Sequence, residues 1–146
     1  MARVKINIPE SILATIEIAV RITDINYGNH VGNDSFIAII HEARVKWLKI
    51  YECTELNIGG AGLIMSDLEI EFKKESFYGD EIEVQISAGE ISKIGFELYY
   101  QLFTTRSKNR ILLVKAKTGM ICYDYTIKKV TTIPSKFLEI LMQTFD

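Results

Sequence analysis

Two cysteines, two prolines and two histidines are all that the 146 residues hold of these types, and each scarcity excludes something. Cys53 and Cys122 are too far apart for a metal-ligand spacing, and one pair makes a poor disulfide framework, so a reducing compartment is expected. No stretch reaches the ~18 consecutive apolar residues that a membrane-spanning helix needs. The opening MARVKINIPESI is basic but has neither a continuous apolar run nor a small-residue cleavage site, so no secretory leader is expected. Neither sign of charge dominates: 17 Lys and Arg against 19 Asp and Glu leave a net −2, which provides no basic field for nucleic acid. The expectation is a cytoplasmic protein without nucleic-acid or membrane partners.

What is present is enough apolar material for a core. Hydrophobic residues make up 48% of the chain, and no linker, repeat or low-complexity segment divides it, so residues 1–146 read as one domain. Ile12 to Thr23 alternates and is rich in Ile and Val, which predicts a strand, and Asp24 to Gly32 reads as a loop. From Asn33 the spacing becomes helical: Phe36, Ile40, Ala43, Trp47 and Ile50 share a face, widened by Ile37, Ile39 and Tyr51. Asn33, Asp34 and Ser35 are candidate N-caps. Asp34, His41, Glu42, Lys46 and Lys49 form the polar face, and the helix is expected to end near Glu52, ahead of the glycine-rich loop 56–62. Strands follow at Leu63–Lys74, Glu81–Ile91, Phe96–Thr105 and Ile111–Tyr125, separated by polar turns that favour antiparallel hairpins. Pro134 introduces a short terminal helix with Phe137, Leu138 and Leu141. The fold class is therefore α+β: a five-stranded antiparallel sheet curling round one long helix. Its outer face and edge strand would need covering, which predicts a dimer or larger assembly.

The most informative stretch is Arg21 to Leu48, which contains both histidines and the loop-to-helix junction. The first N–H groups of a helix lack intrahelical partners and carry partial positive charge, so they can stabilise an oxyanion. Four segments in this order resemble the hotdog-fold thioesterases, in particular the 4-hydroxybenzoyl-CoA thioesterase-like group. Asp24-Ile25-Asn26-Tyr27-Gly28-Asn29-His30-Val31-Gly32-Asn33 is similar to that group's Asp-x-Asp-x-x-Gly-His-Val-Asn-Asn loop. Glu42-Ala43-Arg44 matches its helix tripeptide. Phe77-Tyr78-Gly79-Asp80-Glu81-Ile82 matches its Tyr-Gly-Asp turn, and Asp124-Tyr125-Thr126 with Ile133-Pro134 also fits.

The resemblance, spanning roughly Ile16 to Leu141, implies hydrolysis of an acyl thioester of coenzyme A or acyl carrier protein at a site between subunits. It implies a homodimer or homotetramer and no metal or redox cofactor. Asn26 stands where the group usually has a catalytic carboxylate, and an amide can neither attack the carbonyl nor deprotonate water. Asn26 could orient the water or simply form a turn. Asp24, two residues upstream, could supply the missing base or cap the junction locally. His30 matches the loop histidine, and a similar His is catalytic in the related plant acyl-carrier-protein thioesterases. Those enzymes carry Asn two residues earlier, where this chain has Gly28. Glu42 lies on the helix from which another branch takes its carboxylate, though it could instead pair with Lys46 or Arg44. Asn33 corresponds to the position whose backbone N–H polarises the thioester carbonyl. Met65 and Ser66 begin the strand that lines the partner's pocket in resembling folds, and Lys73, Lys74, Lys93 and Arg106 could meet coenzyme A phosphates. The competing reading is a non-catalytic acyl-CoA-binding hotdog protein, since the usual carboxylate is absent.

Overall fold

The alternation after residue 62 forms four long antiparallel strands, and the helical spacing before it forms one long helix. In the computed structural model, which describes residues 2–143, the elements are β1 (Ala14–Ala19), α1 (Asn33–Ile50), β2 (Gly62–Phe72), β3 (Glu81–Ile91), β4 (Gly95–Arg106), β5 (Asn109–Asp124), β6 (Lys129–Val130) and α2 (Ser135–Leu141). The sheet order is β1-β3-β4-β5-β2, antiparallel throughout. The five-stranded core is as expected, but β6 adds a sixth strand by pairing with Tyr123 and Asp124. Two residues are too few to show an alternation, so sequence periodicity could not reveal it. The first strand also stops at Ala19 rather than Thr23, because Ile22–Asp24 close a 3-10 turn.

The sheet curls round α1. Phe36, Ile39, Ile40, Ala43, Trp47 and Leu48 are buried with inward residues such as Val84, Leu98, Tyr100 and Ala116. Each large apolar side chain withdrawn from water contributes about 1.5–3 kcal/mol. The buried stripe continues from Trp47 to Tyr51, which packs on the core. Ile50 therefore turns outward and is 62% exposed, against expectation, and Ile37 is exposed too.

Arg44 is the unexpected member of the buried face. Its Nε donates to Glu55 Oε2 at 2.9 Å and its Nη1 to the Tyr100 hydroxyl at 3.2 Å, which in turn bonds Thr118 at 2.8 Å. One guanidinium thus joins α1, the loop after it and two strands. Burial pushes the Glu55 carboxyl up, but hydrogen bonds from His41 and Arg44 outweigh that and hold it below the usual range.

The outer face of the sheet is polar. Lys117 reaches Asp67 at 2.9 Å, Glu69 at 3.8 Å and Glu97 at 3.7 Å. The N-terminal segment lies across it, with Ile6 N–H donating to Glu71 at 3.1 Å. Charge and the chain's own N-terminal segment thus occupy part of the face that was expected to need covering. The edge of β2 is different: β2 pairs with no strand but β5, and beyond Leu63, whose N–H donates to Glu55 O at 2.7 Å, no strand covers its other side among the described residues.

Removing the Arg44 guanidinium leaves Glu55 with His41 alone and the Tyr100 hydroxyl with Thr118 alone. Arg44→Ala is expected to lower stability by about 1–3 kcal/mol, read as a shifted urea midpoint with an unchanged slope.

Candidate active site

The segment between β1 and α1 is a miniature hairpin. Ile25 and Val31 form a bridge, and Asn26 N–H donates to His30 O at 2.9 Å. Asn29 sits at φ +66°, a left-handed conformation that asparagine tolerates better than most residues. Asn26 Oδ1 accepts the Gly28 N–H at 2.9 Å, the local turn weighed for it from sequence. Its Nδ2 is left without a partner among the described residues and faces the start of α1, 3.8 Å from where a Cβ on Gly32 would stand.

Gly32 is the N-cap and makes no side-chain cap. None of Asn33, Asp34 or Ser35 is the cap expected for them; all three are already helical. Asn33 is the first helical residue, and its N–H meets no acceptor among the described residues. An unsatisfied donor at the positive end of a helix dipole is the feature an oxyanion needs.

Beside it opens a cleft of about 250 Å³. His30, Val31, Asn33 and Phe36 form one wall; Phe72, Lys73, Lys74 and Glu75, where β2 ends, form the other. The Phe36 and Phe72 rings meet at 6.0 Å. His30 Nδ1 lies 3.2 Å from Val31 O. A carbonyl only accepts, so Nδ1 carries the hydrogen, and in the neutral ring Nε2 has the lone pair. That Nε2 stands 3.8 Å from Glu75 Oε1.

The other residues singled out from sequence lie elsewhere. Asp24 is buried, with Oδ2 accepting Arg21 N–H at 2.8 Å and Oδ1 facing the Arg21 guanidinium at 3.3 Å. It does not line the cleft. Glu42 is half-buried on α1, about 13 Å along the axis from Asn33, and Arg44 pairs with Glu55 rather than with it. His41 also bonds Glu55. Met65 and Ser66 lie just before the middle of β2, six or seven residues and so about 20 Å or more from Phe72. Ser66 is the extra residue of a bulge and its hydroxyl donates to Gly119 O at 3.1 Å. The chain thus brings together His30 and Asn33, with Asn26 behind them, and leaves Asp24, Glu42, Met65 and Ser66 outside the cleft. No group of three or more His, Cys, Asp or Glu among the described residues is arranged to hold a metal ion.

Two features escaped the sequence reading. The first is a strap built on the Tyr78-Gly79-Asp80 turn, where Gly79 adopts φ +98°. Asp80 Oδ2 accepts the Ser76 hydroxyl at 2.8 Å, the Phe77 N–H at 2.9 Å and Arg106 Nη2 at 2.6 Å. Arg106 Nη2 also donates to Glu75 O at 2.8 Å, and Val31 N–H donates to Ser76 O at 2.8 Å. The turn therefore holds both walls of the cleft in register. The second is Glu75 itself, which follows the Lys73-Lys74 pair and belongs to none of the motifs singled out from sequence.

Burial pushes the Asp80 carboxyl up, but the bonds from Arg106, Phe77 and Ser76 outweigh it and hold it below the usual range. A lowered folded value means that Asp80 contributes stability fully above the ordinary carboxylate value of about 4 and loses it as pH falls through the folded value. Asp80→Ala is expected to cost about 2–3 kcal/mol at neutral pH, and to flatten the acid limb of a plot of urea midpoint against pH.

Residues 20–141 match the profile of the Thioesterase-like superfamily. A 1,4-dihydroxy-2-naphthoyl-CoA hydrolase of Microcystis aeruginosa is 29% identical over 72 residues, which is 49% of either chain. The crystal structure of a 1,4-dihydroxy-2-naphthoyl-CoA thioesterase from Synechocystis superposes with a TM-score of 0.76 over 87% of this chain and 93% of that one, at 23% identity. A mutant 4-hydroxybenzoyl-CoA thioesterase crystallised with 4-hydroxybenzoyl-CoA superposes with a TM-score of 0.77 over 88% and 97%, at 13% identity. The helix wrapped by its antiparallel sheet is thus a hotdog fold, and the chain belongs to the thioesterase-like superfamily.

Proposed function

We propose that this hydrolase cleaves an acyl thioester of coenzyme A, or of acyl carrier protein, in the cleft at the N-terminal turn of α1. The observation that carries the reading is the free Asn33 N–H at a cleft that Asn33 lines together with His30, Phe36 and Phe72. The acyl group rests on the two rings, and its carbonyl oxygen takes the Asn33 N–H. Water attacks the carbonyl carbon, and the negative charge that develops on oxygen falls at the helix dipole. Lys73 and Lys74 at the rim suit coenzyme A phosphates. Asn26 shapes the loop and presents Nδ2 to the helix start; its amide leaves the general base to another group. Asp24, bound to Arg21, serves this scheme as an anchor, and Glu42 is a carboxylate whose replacement by Gln tests whether it takes part.

The site is completed by a second copy of the chain. A copy pairing antiparallel with β2 about an axis between Leu68 and Glu69 would bring Met65 and Ser66 of one chain beside Phe72 and Glu71 of the other, the arrangement of a homodimer or of a tetramer of such dimers. Exposed Ile64, Met65 and Phe72 along that edge favour it. A monomer by light scattering at micromolar concentration would contradict it. Cys53 and Cys122 are free thiols, in keeping with a reducing, cytoplasmic setting.

The second reading, an acyl-CoA-binding protein without turnover, is favoured by one observation: Asn26, at the usual carboxylate position, is tied into a turn. Thiol release over a panel of acyl-CoA esters separates the two, since turnover refutes the binder. Burial pushes the Cys122 thiol up to about 11, so this residue contributes no background to the assay.

Asn33→Pro tests the oxyanion donor directly. Proline suits the first helical position and Gly32 is already extended at φ −71°, ψ 158°, so the helix survives while the N–H is lost. The expected result is an unchanged melting temperature with kcat lowered about 10²–10³-fold.

A further inference from the structure

The hydrolysis proposed above leaves its base unassigned, because Asn26 is an amide, Asp24 is bound to Arg21 and Glu42 lies outside the cleft. Resting on that reading, we infer that Glu75 replaces the missing carboxylate: its Oε1 and His30 Nε2, 3.8 Å apart across the mouth of the cleft, hold the attacking water between them.

Geometry supports this in three ways. Two acceptors that each take one hydrogen of the same water, through linear bonds of about 2.8 Å, stand about 4.4 Å apart, and at 3.8 Å a water still reaches both through slightly bent bonds. His30 Nδ1 is occupied at Val31 O, so Nε2 is the ring atom free to accept. The backbone on both sides of the pair is fixed, by Arg106 at Glu75 O, 2.8 Å, and by Val31 N–H at Ser76 O, 2.8 Å. A water held by both hydrogens directs its lone pairs away from the two acceptors, toward a carbonyl placed at the Asn33 N–H.

The step balances without any further reactant. The water oxygen bonds the carbonyl carbon while His30 Nε2 takes one water proton, and the carbonyl π pair moves to the oxygen facing Asn33. The tetrahedral intermediate then re-forms the carbonyl and expels the thiolate, which takes the proton from His30. The acid product carries the second water hydrogen and releases it to solvent. Glu75 takes no proton in this step; it orients the water and then faces the transient imidazolium.

The test uses the full-length protein on acetyl-, octanoyl-, palmitoyl-, benzoyl- and phenylacetyl-CoA, with the best substrate carried forward. Glu75→Ala keeps every backbone bond just named, and a matching circular dichroism melt confirms its fold. The expected result is a kcat at least 10²-fold lower with KM within about twofold, partial recovery in Glu75→Asp, and a Glu75→Ala/His30→Ala double variant no slower than the slower single variant. Wild-type kcat in Glu75→Ala would overturn the assignment and leave the hydrolase reading intact. Losses that multiply in the double variant would overturn the shared water. No wild-type turnover on any ester would overturn the hydrolase reading and this inference together.

Discussion

Ala43, Trp47 and Leu48 have no exposed surface because the sheet curls round α1 and gives the helix one rotational setting. That setting determines what the two ends of the helix can do. Arg44 fixes the middle by bonding the following loop and β4 at once. The first turn then emerges where β2 ends, with Gly32 as a bare cap and Asn33 lining the same cleft as Phe72 and Glu75. The open end of a rigid helix is thereby offered to a ligand, while the closed stripe carries the stability.

The second constraint is the Asp80 strap. A carboxylate that accepts from a hydroxyl, an amide and a guanidinium fixes a turn far better than glycine alone would. Through Ser76 O and Val31 N–H it also sets the spacing of the cleft walls. The turn motif and the loop motif, which look independent along the chain, thus form one structural unit. Catalytic geometry demands such support, since small displacements of the reacting groups lose most of the benefit of holding them together.

Much of the fold was legible because it depends on local periodicity. The helix start at Asn33, the long strands and the short helix after Pro134 all follow from spacing that solvent exposure enforces. β6, the 3-10 turn at Ile22–Asp24 and the outward turn of Ile50 did not, because each depends on a tertiary neighbour or on too few residues. The site was legible in part for the same reason. The loop and the helix start are contiguous in sequence, so His30, Asn33 and Asn26 could be singled out. Glu75 lines the cleft from the end of β2, held there by Arg106 at the end of β4 and Asp80 at the start of β3, and no spacing rule joins residues so far apart. Met65 and Ser66 showed the converse: one strand contains them and Phe72, but its length keeps them apart within a single chain.

The central claim is that the thioester carbonyl binds at the Asn33 N–H, on the Phe36–Phe72 floor. The most direct measurement is a crystal structure with a non-hydrolysable acetonyl-CoA analogue, in which a methylene separates sulfur from the carbonyl. The account predicts the carbonyl oxygen about 3 Å from Asn33 N, with the acyl end between Phe36 and Phe72. Binding instead in the outer-face groove lined by Ser66, Gly119 and Ile121, with the Asn33 N–H left vacant, would contradict it.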